Sequence, residues 1–141
     1  MLKQDDYIKS RLVEVGWRFG KRYGGHMAGQ LVMHAIANRV RVGWGSWLQV
    51  IDSIPNVMAE ENLPPLEHPS VWEPAFVKLL HAVDGIYDGS VHDLSKGALY
   101  WGDLQSIERA WFKEKIIQAK DDEGAPLHHR VVDMNSLSFW D

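Results

Sequence analysis

Met27-Ala28-Gly29-Gln30-Leu31-Val32-Met33-His34-Ala35-Ile36-Ala37-Asn38-Arg39-Val40-Arg41 decides the fold. Met27, Leu31, Val32, Met33, Ala35, Ile36, Ala37 and Val40 leave little polar face. A helix of that kind has to be central, with other elements covering it on most sides. The covering elements follow on either side of it. Upstream, Ile8, Leu12, Val15 and Phe19 recur at helical spacing, so Asp5 to Phe19 is an amphipathic helix with Asp5 and Asp6 in its first turn and Gly20 at its end. Gly20-Lys21-Arg22-Tyr23-Gly24-Gly25 is a basic, glycine-rich loop joining the two helices.

Downstream, Gly43-Trp44-Gly45-Ser46 reads as a turn, with Ser46 capping a short helix through Ile51. Residues 53–71 carry Pro55, Pro64, Pro65 and Pro69 with little periodicity and read as an ordered surface loop. Pro74 opens a third long helix to about Tyr87, with Phe76, Leu79, Leu80, Val83 and Ile86 on its apolar face. After Asp88 the texture changes. Gly97 to Trp101 is short and extended. Trp111–Ala119 and His128–Met134 read as strands, joined by a hairpin turn at Asp121-Asp122-Glu123-Gly124. Helices followed by a small antiparallel sheet define an α+β chain, here a single domain over residues 1–141.

Composition narrows the function classes. A formal net charge of −4 argues against general nucleic-acid binding. The absence of cysteine excludes disulfides and thiolate metal sites. Seven tryptophans in 141 residues is a high count; most are expected in the core, with some excess where sugars or partners stack. Met1 to Asp6 lacks the apolar centre of a signal peptide, and no apolar run is long enough to span a bilayer. The expectation is a soluble monomer with no membrane insertion.

Two stretches, in order, carry a resemblance. Gly29 to Val40, with its Gly-Gln opening and Asn38-Arg39-Val40 close, and Gly97-Ala98-Leu99-Tyr100-Trp101 are similar to motifs of the SleB-type cell-wall hydrolases, the family of spore cortex-lytic enzymes and related phage lysins. The spacing between them, Asp88-Gly89 at a helix end, and a later Trp111 also fit, so that the likeness covers roughly residues 7–140. The resemblance implies a lysozyme-like helical core and cleavage of peptidoglycan glycan strands by one essential Glu, with no cofactor. That Glu closes the family's first helix in a Glu-Ala-Arg-Gly-like context. The corresponding text here is Val13-Glu14-Val15-Gly16-Trp17-Arg18, and an insertion in the Lys21–His26 loop aligns Glu14 with it.

Glycosidic cleavage needs a proton on the leaving oxygen and stabilisation of an oxocarbenium-like state. A lytic transglycosylase manages both proton transfers with one carboxyl group, because the sugar's own 6-hydroxyl attacks. Between Val15 and Ile51 there is no Asp or Glu, which leaves Glu14 as the only carboxylate beside the two most family-like helices; it lies roughly 120° from the Ile8 stripe, where it can line a cleft. Arg18, Lys21, Arg22, Arg39 and Arg41 crowd the same sequence region and suit an anionic wall polymer. Tyr100 and Trp101 are the candidates for stacking on sugar rings, Asp103 for bonding a sugar hydroxyl, Tyr23 for lining the site, and Asn38 for contacting substrate or bracing the catalytic loop. Delivery without a signal peptide suits a phage lysin released from the host cytoplasm, or a virion-associated enzyme. Two other readings use the same residues: a non-catalytic wall-binding or virion structural protein, and a zinc amidase with ligands drawn from His26, His34, His128 and His129.

Overall fold

The computed structural model describes residues 4–23, 25–57 and 73–141. Helix α1 (Gln4–Arg22) begins with Asp5 and Asp6 and ends with Lys21 and Arg22, so its charges oppose the helix dipole at both ends. It buries Ile8, Leu12, Val15 and Phe19, the stripe read from sequence, together with Val13 and Trp17. Helix α2 (His26–Arg41) buries an unbroken run from Leu31 to Ala37 and stands at the centre of the helical layer, against α1, α3 (Trp47–Val57) and α4 (Pro74–Asp88). Small residues set the closest approach. Gly16 of α1 faces Gly29 of α2 so closely that a Cβ on Gly29 would lie 2.4 Å from the Gly16 carbonyl oxygen.

Helix α3 begins with a capping box. The Gln49 N–H donates to Ser46 Oγ at 3.2 Å, and the Ser46 N–H donates to Gln49 Oε1 at 2.9 Å. The helix runs past Ile51 and Pro55 to Val57, so the first residues expected as loop are helical; the rest of that loop lies outside the described residues. Helix α4 has Pro74 in its first turn and stops at Gly89, whose φ of 77° needs a residue without a Cβ.

The C-terminal part forms a three-stranded antiparallel sheet of β1 (Tyr100–Gly102), β2 (Arg130–Met134) and β3 (Leu137–Trp140), in the order β1-β3-β2. An α+β architecture is thus present, mainly helical, with a small sheet. The sheet is assembled differently from expectation. Residues 111–119 form no strand: Leu104–Ile107 is a short helix α5, Ala110–Phe112 a turn of helix α6, and the chain continues as a π-helical stretch over Lys113–Ile117. Phe112 and Ile116, four residues apart, bury one face of it against Trp140. The turn at Asp121 exists, with the Gly124 N–H donating to Asp121 O at 3.0 Å, but it closes only an isolated Lys120–Pro126 bridge. The hairpin of the sheet turns instead at Asn135, with φ 55°, and pairs β2 with Leu137–Trp140. All four β3 residues are buried because Leu137 and Phe139 meet the helical core while Trp140 meets Phe112 and Ile116.

Candidate functional site

On α1, Arg11, Glu14, Val15 and Arg18 occupy positions i, i+3, i+4 and i+7 and share one face. That face and Ile51, Asp52 and Ile54 of α3 enclose a groove of about 120 Å³. Val15, Ile51 and Ile54 are buried and form its floor. Glu14 and Arg18 are part-buried on the α1 wall, and Asp52 stands exposed on the α3 wall. Arg11 spans the rim, its Nη2 donating to Asp52 Oδ1 at 2.8 Å and its Nη1 to the Tyr7 hydroxyl at 3.2 Å. Burial lowers the pKa of the Arg18 guanidinium, and the Glu14 carboxylate partly restores it, which places the two groups within electrostatic reach. The groove therefore has an apolar floor and a rim of two carboxylates and two guanidiniums. A ring-shaped, hydroxyl-rich ligand needs that combination: apolar contact beneath, hydrogen-bond partners at the edge.

The other residues singled out from sequence do not line this groove. Trp101 is 1% exposed and packs edge-on against Phe19 at 5.6 Å, so it is a wall of the core and offers no face to a sugar in this conformation. Tyr23 and Asp103 form a buried clamp, the Tyr23 hydroxyl donating to Asp103 Oδ2 at 2.7 Å. Asp103 Oδ1 also accepts from the Ser106 N–H at 2.8 Å and so caps α5. Burial first, and then this bond, push the Tyr23 phenol up to about 12. Both side chains are thus committed to joining α1 to β1 and α5, and a bond from Asp103 to a sugar hydroxyl would break the clamp. Asn38 braces rather than binds: its Nδ2 donates to Ala98 O at 3.0 Å and Asp93 Oδ2 at 2.9 Å. Tyr100 is half-buried, tilted against the exposed ring of Trp44 at 5.4 Å and edge-on to His128 at 5.0 Å.

The basic residues also disperse. Arg39 is fully buried among Trp44, Tyr100 and Trp101. Arg41 donates to Ile86 O at 2.7 Å, and Lys21 and Arg22 lie over the rings of Trp17 and Tyr23. Only Arg18 of the five stands at the groove. Asp52 and Arg11 were not among the residues singled out from sequence, while Arg39 was named only as one of the basic cluster and Trp44 only as a turn residue. Asp52 had no local signal, because only the packing of α3 on α1 brings it near Glu14.

The four histidines are spread over separate contacts. His26 bonds Gln30, His34 is buried beside Asp93, and His128 and His129 contact Asp141. Among the described residues no group of three or more His, Asp or Glu side chains could hold a metal ion, and no helix is long and apolar enough to cross a membrane. No protein-family model, curated protein or solved structure matches the chain.

His34 gives the protein a pH dependence. Burial lowers its pKa below 6.5, Asp93 opposes this, and Arg41 and His92 reinforce it. Burial lowers His26 likewise, with Lys78 adding to the effect. A folded-state pKa below the unfolded one means that the unfolded chain takes up protons first, so stability is full above about pH 6.5 and declines as pH falls below it. Thermal unfolding followed from pH 8 to about 5 should show Tm falling on the acid side, with a shallower fall in His34→Gln. Equal slopes in the two proteins would remove His34 as the cause.

Proposed function

We propose that this chain cleaves the glycan strands of peptidoglycan, that Glu14 is its general acid and base, and that the helical layer of α1 to α4 serves as a lysozyme-like core. One observation carries the reading: the carboxyl group that the resemblance selects lines a groove with an apolar floor and does not face open solvent. Glu14 would protonate the bridging oxygen of a glycosidic bond laid across α1 and α3, then accept the proton of the attacking hydroxyl. Asp52, which accepts a hydrogen bond from Arg11, would stabilise the oxocarbenium-like state from the facing wall. Arg18 would hold a wall polymer's anionic groups near the groove. The reading includes a lysin that reaches the wall from the host cytoplasm, or from a virion.

Glu14→Gln keeps the shape of the side chain and removes its titrating proton. Clearing of purified cell walls should fall by several hundredfold with circular dichroism and Tm unchanged. Unchanged clearing removes Glu14 from the chemistry. Mass spectrometry of the released fragments reads the reaction class. Anhydromuramyl ends indicate transglycosylation, reducing ends indicate hydrolysis, and freed peptides indicate an amidase. A second reading, wall binding without cleavage, rests on the exposed ring of Trp44 beside half-buried Tyr100, an aromatic surface set apart from Glu14. It requires sedimentation with cell walls and no released fragments.

A further inference from the structure

Arg39 is placed where a charged side chain is costly. The residue is 0% exposed. Its Nε donates to Leu99 O at 2.7 Å, but Nη1 and Nη2 are buried with no hydrogen-bond partner. The guanidinium carbon lies over the ring of Trp101 at 4.5 Å, of Trp44 at 4.9 Å and of Tyr100 at 5.9 Å. Burial lowers its pKa to about 10, with Tyr100 opposing, so it remains a cation at neutral pH. Ring faces attract a cation but do not satisfy a fork of N–H donors, which leaves the outer edge of the guanidinium desolvated and unpaired.

The three rings differ in what they can do. Trp101 is locked in the core. Trp44 is 43% exposed and sits in a turn between Gly43 (φ 92°) and Gly45 (φ 152°). Its backbone N–H is anchored to Arg39 O at 3.0 Å, so the turn is tied to the helix while the indole lies at the surface, against Tyr100 on one side. The arrangement is a buried cation under a half-exposed aromatic cover.

We infer that Arg39 is a binding site for a carboxylate, gated by Trp44. The indole swings outward, and the two oxygens of a carboxylate accept from Nη1 and Nη2, the paired geometry that a guanidinium offers to a planar oxyanion. A single negative charge balances the single positive one. A phosphate, more than singly charged near neutral pH, would carry uncompensated charge into a dry site. This site is separate from the α1–α3 groove and does not depend on whether Glu14 cleaves anything.

The probe is sodium acetate, titrated at constant ionic strength into ¹⁵N-labelled protein, with sodium phosphate and sodium chloride as comparison titrations. The Trp44 indole cross-peak, identified by its loss in Trp44→Phe, and the Arg39 Nε–H cross-peak should shift and saturate with acetate. Trp44→Ala removes the cover, and its Arg39 Nε–H signal should reach half-saturation at an acetate concentration lower by about tenfold or more, because binding no longer draws on a minor open state. Arg39→Gln should show no saturable shift. The assignment is overturned by shifts that do not saturate, by phosphate or chloride saturating at the same concentration as acetate, by a saturable response that survives Arg39→Gln, or by Trp44→Ala binding no tighter than the wild type. Should Arg39→Gln fail to fold, the Trp44→Ala titration decides.

Discussion

Gly29→Ala is expected to destabilise the protein by about 3 kcal/mol or more, enough to unfold a domain of ordinary stability at physiological temperature. The added methyl group would lie 2.4 Å from the Gly16 carbonyl oxygen, 3.1 Å from the Gly16 carbonyl carbon and 3.2 Å from Leu79 Cδ2. Two of those three atoms are backbone, in the middle of a helix, and cannot rotate away. Relief requires α1 to lift off α2, and that opens the packing around Leu12, Leu31 and Phe19. The intrinsic helix preference of Ala over Gly, about 1 kcal/mol, is included in this figure and does not offset the clash. Gly16→Ala is the informative control. Its methyl group would meet Met33 Sδ at 2.6 Å and Cγ at 2.8 Å, with Gly29 O at 3.2 Å. A methionine side chain has rotamers to spare, so the loss should be smaller, about 1–2 kcal/mol. Denaturant unfolding of both variants measures the difference. A Gly29→Ala protein as stable as the wild type would mean that the two helices slide past one another freely.

Asp93→Ala is expected to lose about 3–4 kcal/mol and to release the segment between α4 and β1. Asp93 Oδ1 accepts from Ser95 N–H at 2.8 Å and Ser95 Oγ at 2.6 Å, and Oδ2 accepts from Gly97 N–H at 2.8 Å and Asn38 Nδ2 at 2.9 Å. Burial pushes this carboxyl group up, but the bonds from Ser95, Asn38 and Gly97 outweigh it and hold the pKa below the ordinary carboxylate value. Removing the carboxylate takes this acceptor from the Ser95 N–H, the Ser95 hydroxyl and the Gly97 N–H, of which the Ser95 side chain is fully buried, while Asn38 Nδ2 keeps Ala98 O. Amide exchange at Ser95 and Gly97 should accelerate sharply in Asp93→Ala, and less in Asp93→Asn, which retains one acceptor oxygen. Because Leu99 O holds Arg39 Nε, the same substitution should also alter the Arg39 signals. Wild-type exchange rates in Asp93→Ala would show that the turn is held by something other than Asp93.

α1 and α4 were legible because each couples an apolar period to a start or stop signal, Asp5 and Asp6 at α1 and Pro74 and Gly89 at α4, and α2 because it has almost no polar face. The sheet was not. Trp111, Phe112, Ile116 and Ile117 have the composition of a strand, and that composition outweighed the single i, i+4 pair that marks the helix. Leu137-Ser138-Phe139-Trp140 went unread because a strand covered on both faces shows no alternation of apolar and polar residues. Of the candidate groove, the sequence singled out the α1 wall at Glu14 and Arg18, where one helix face is enough. Asp52 comes to Glu14 through the packing of α3, and Asp103 is drawn into a clamp with Tyr23 from 80 residues away. Neither relation leaves a local trace: the sequence offers Asp103 and Tyr23 as polar site candidates and gives no sign of the hydrogen bond that joins them.

The strand order β1-β3-β2 sets the sequence of events during synthesis. β1 leaves the ribosome well before the strand that hydrogen-bonds to it, since Tyr100 pairs with Trp140. β2 also emerges before β3, the strand it pairs with among the described residues. Until Leu137–Trp140 appear, the nascent chain holds two unpaired strand edges and an open side of the helical layer, the surfaces on which neighbouring nascent chains adhere. The arrival of Leu137–Trp140 therefore both completes the sheet and closes the interval during which those edges lie open.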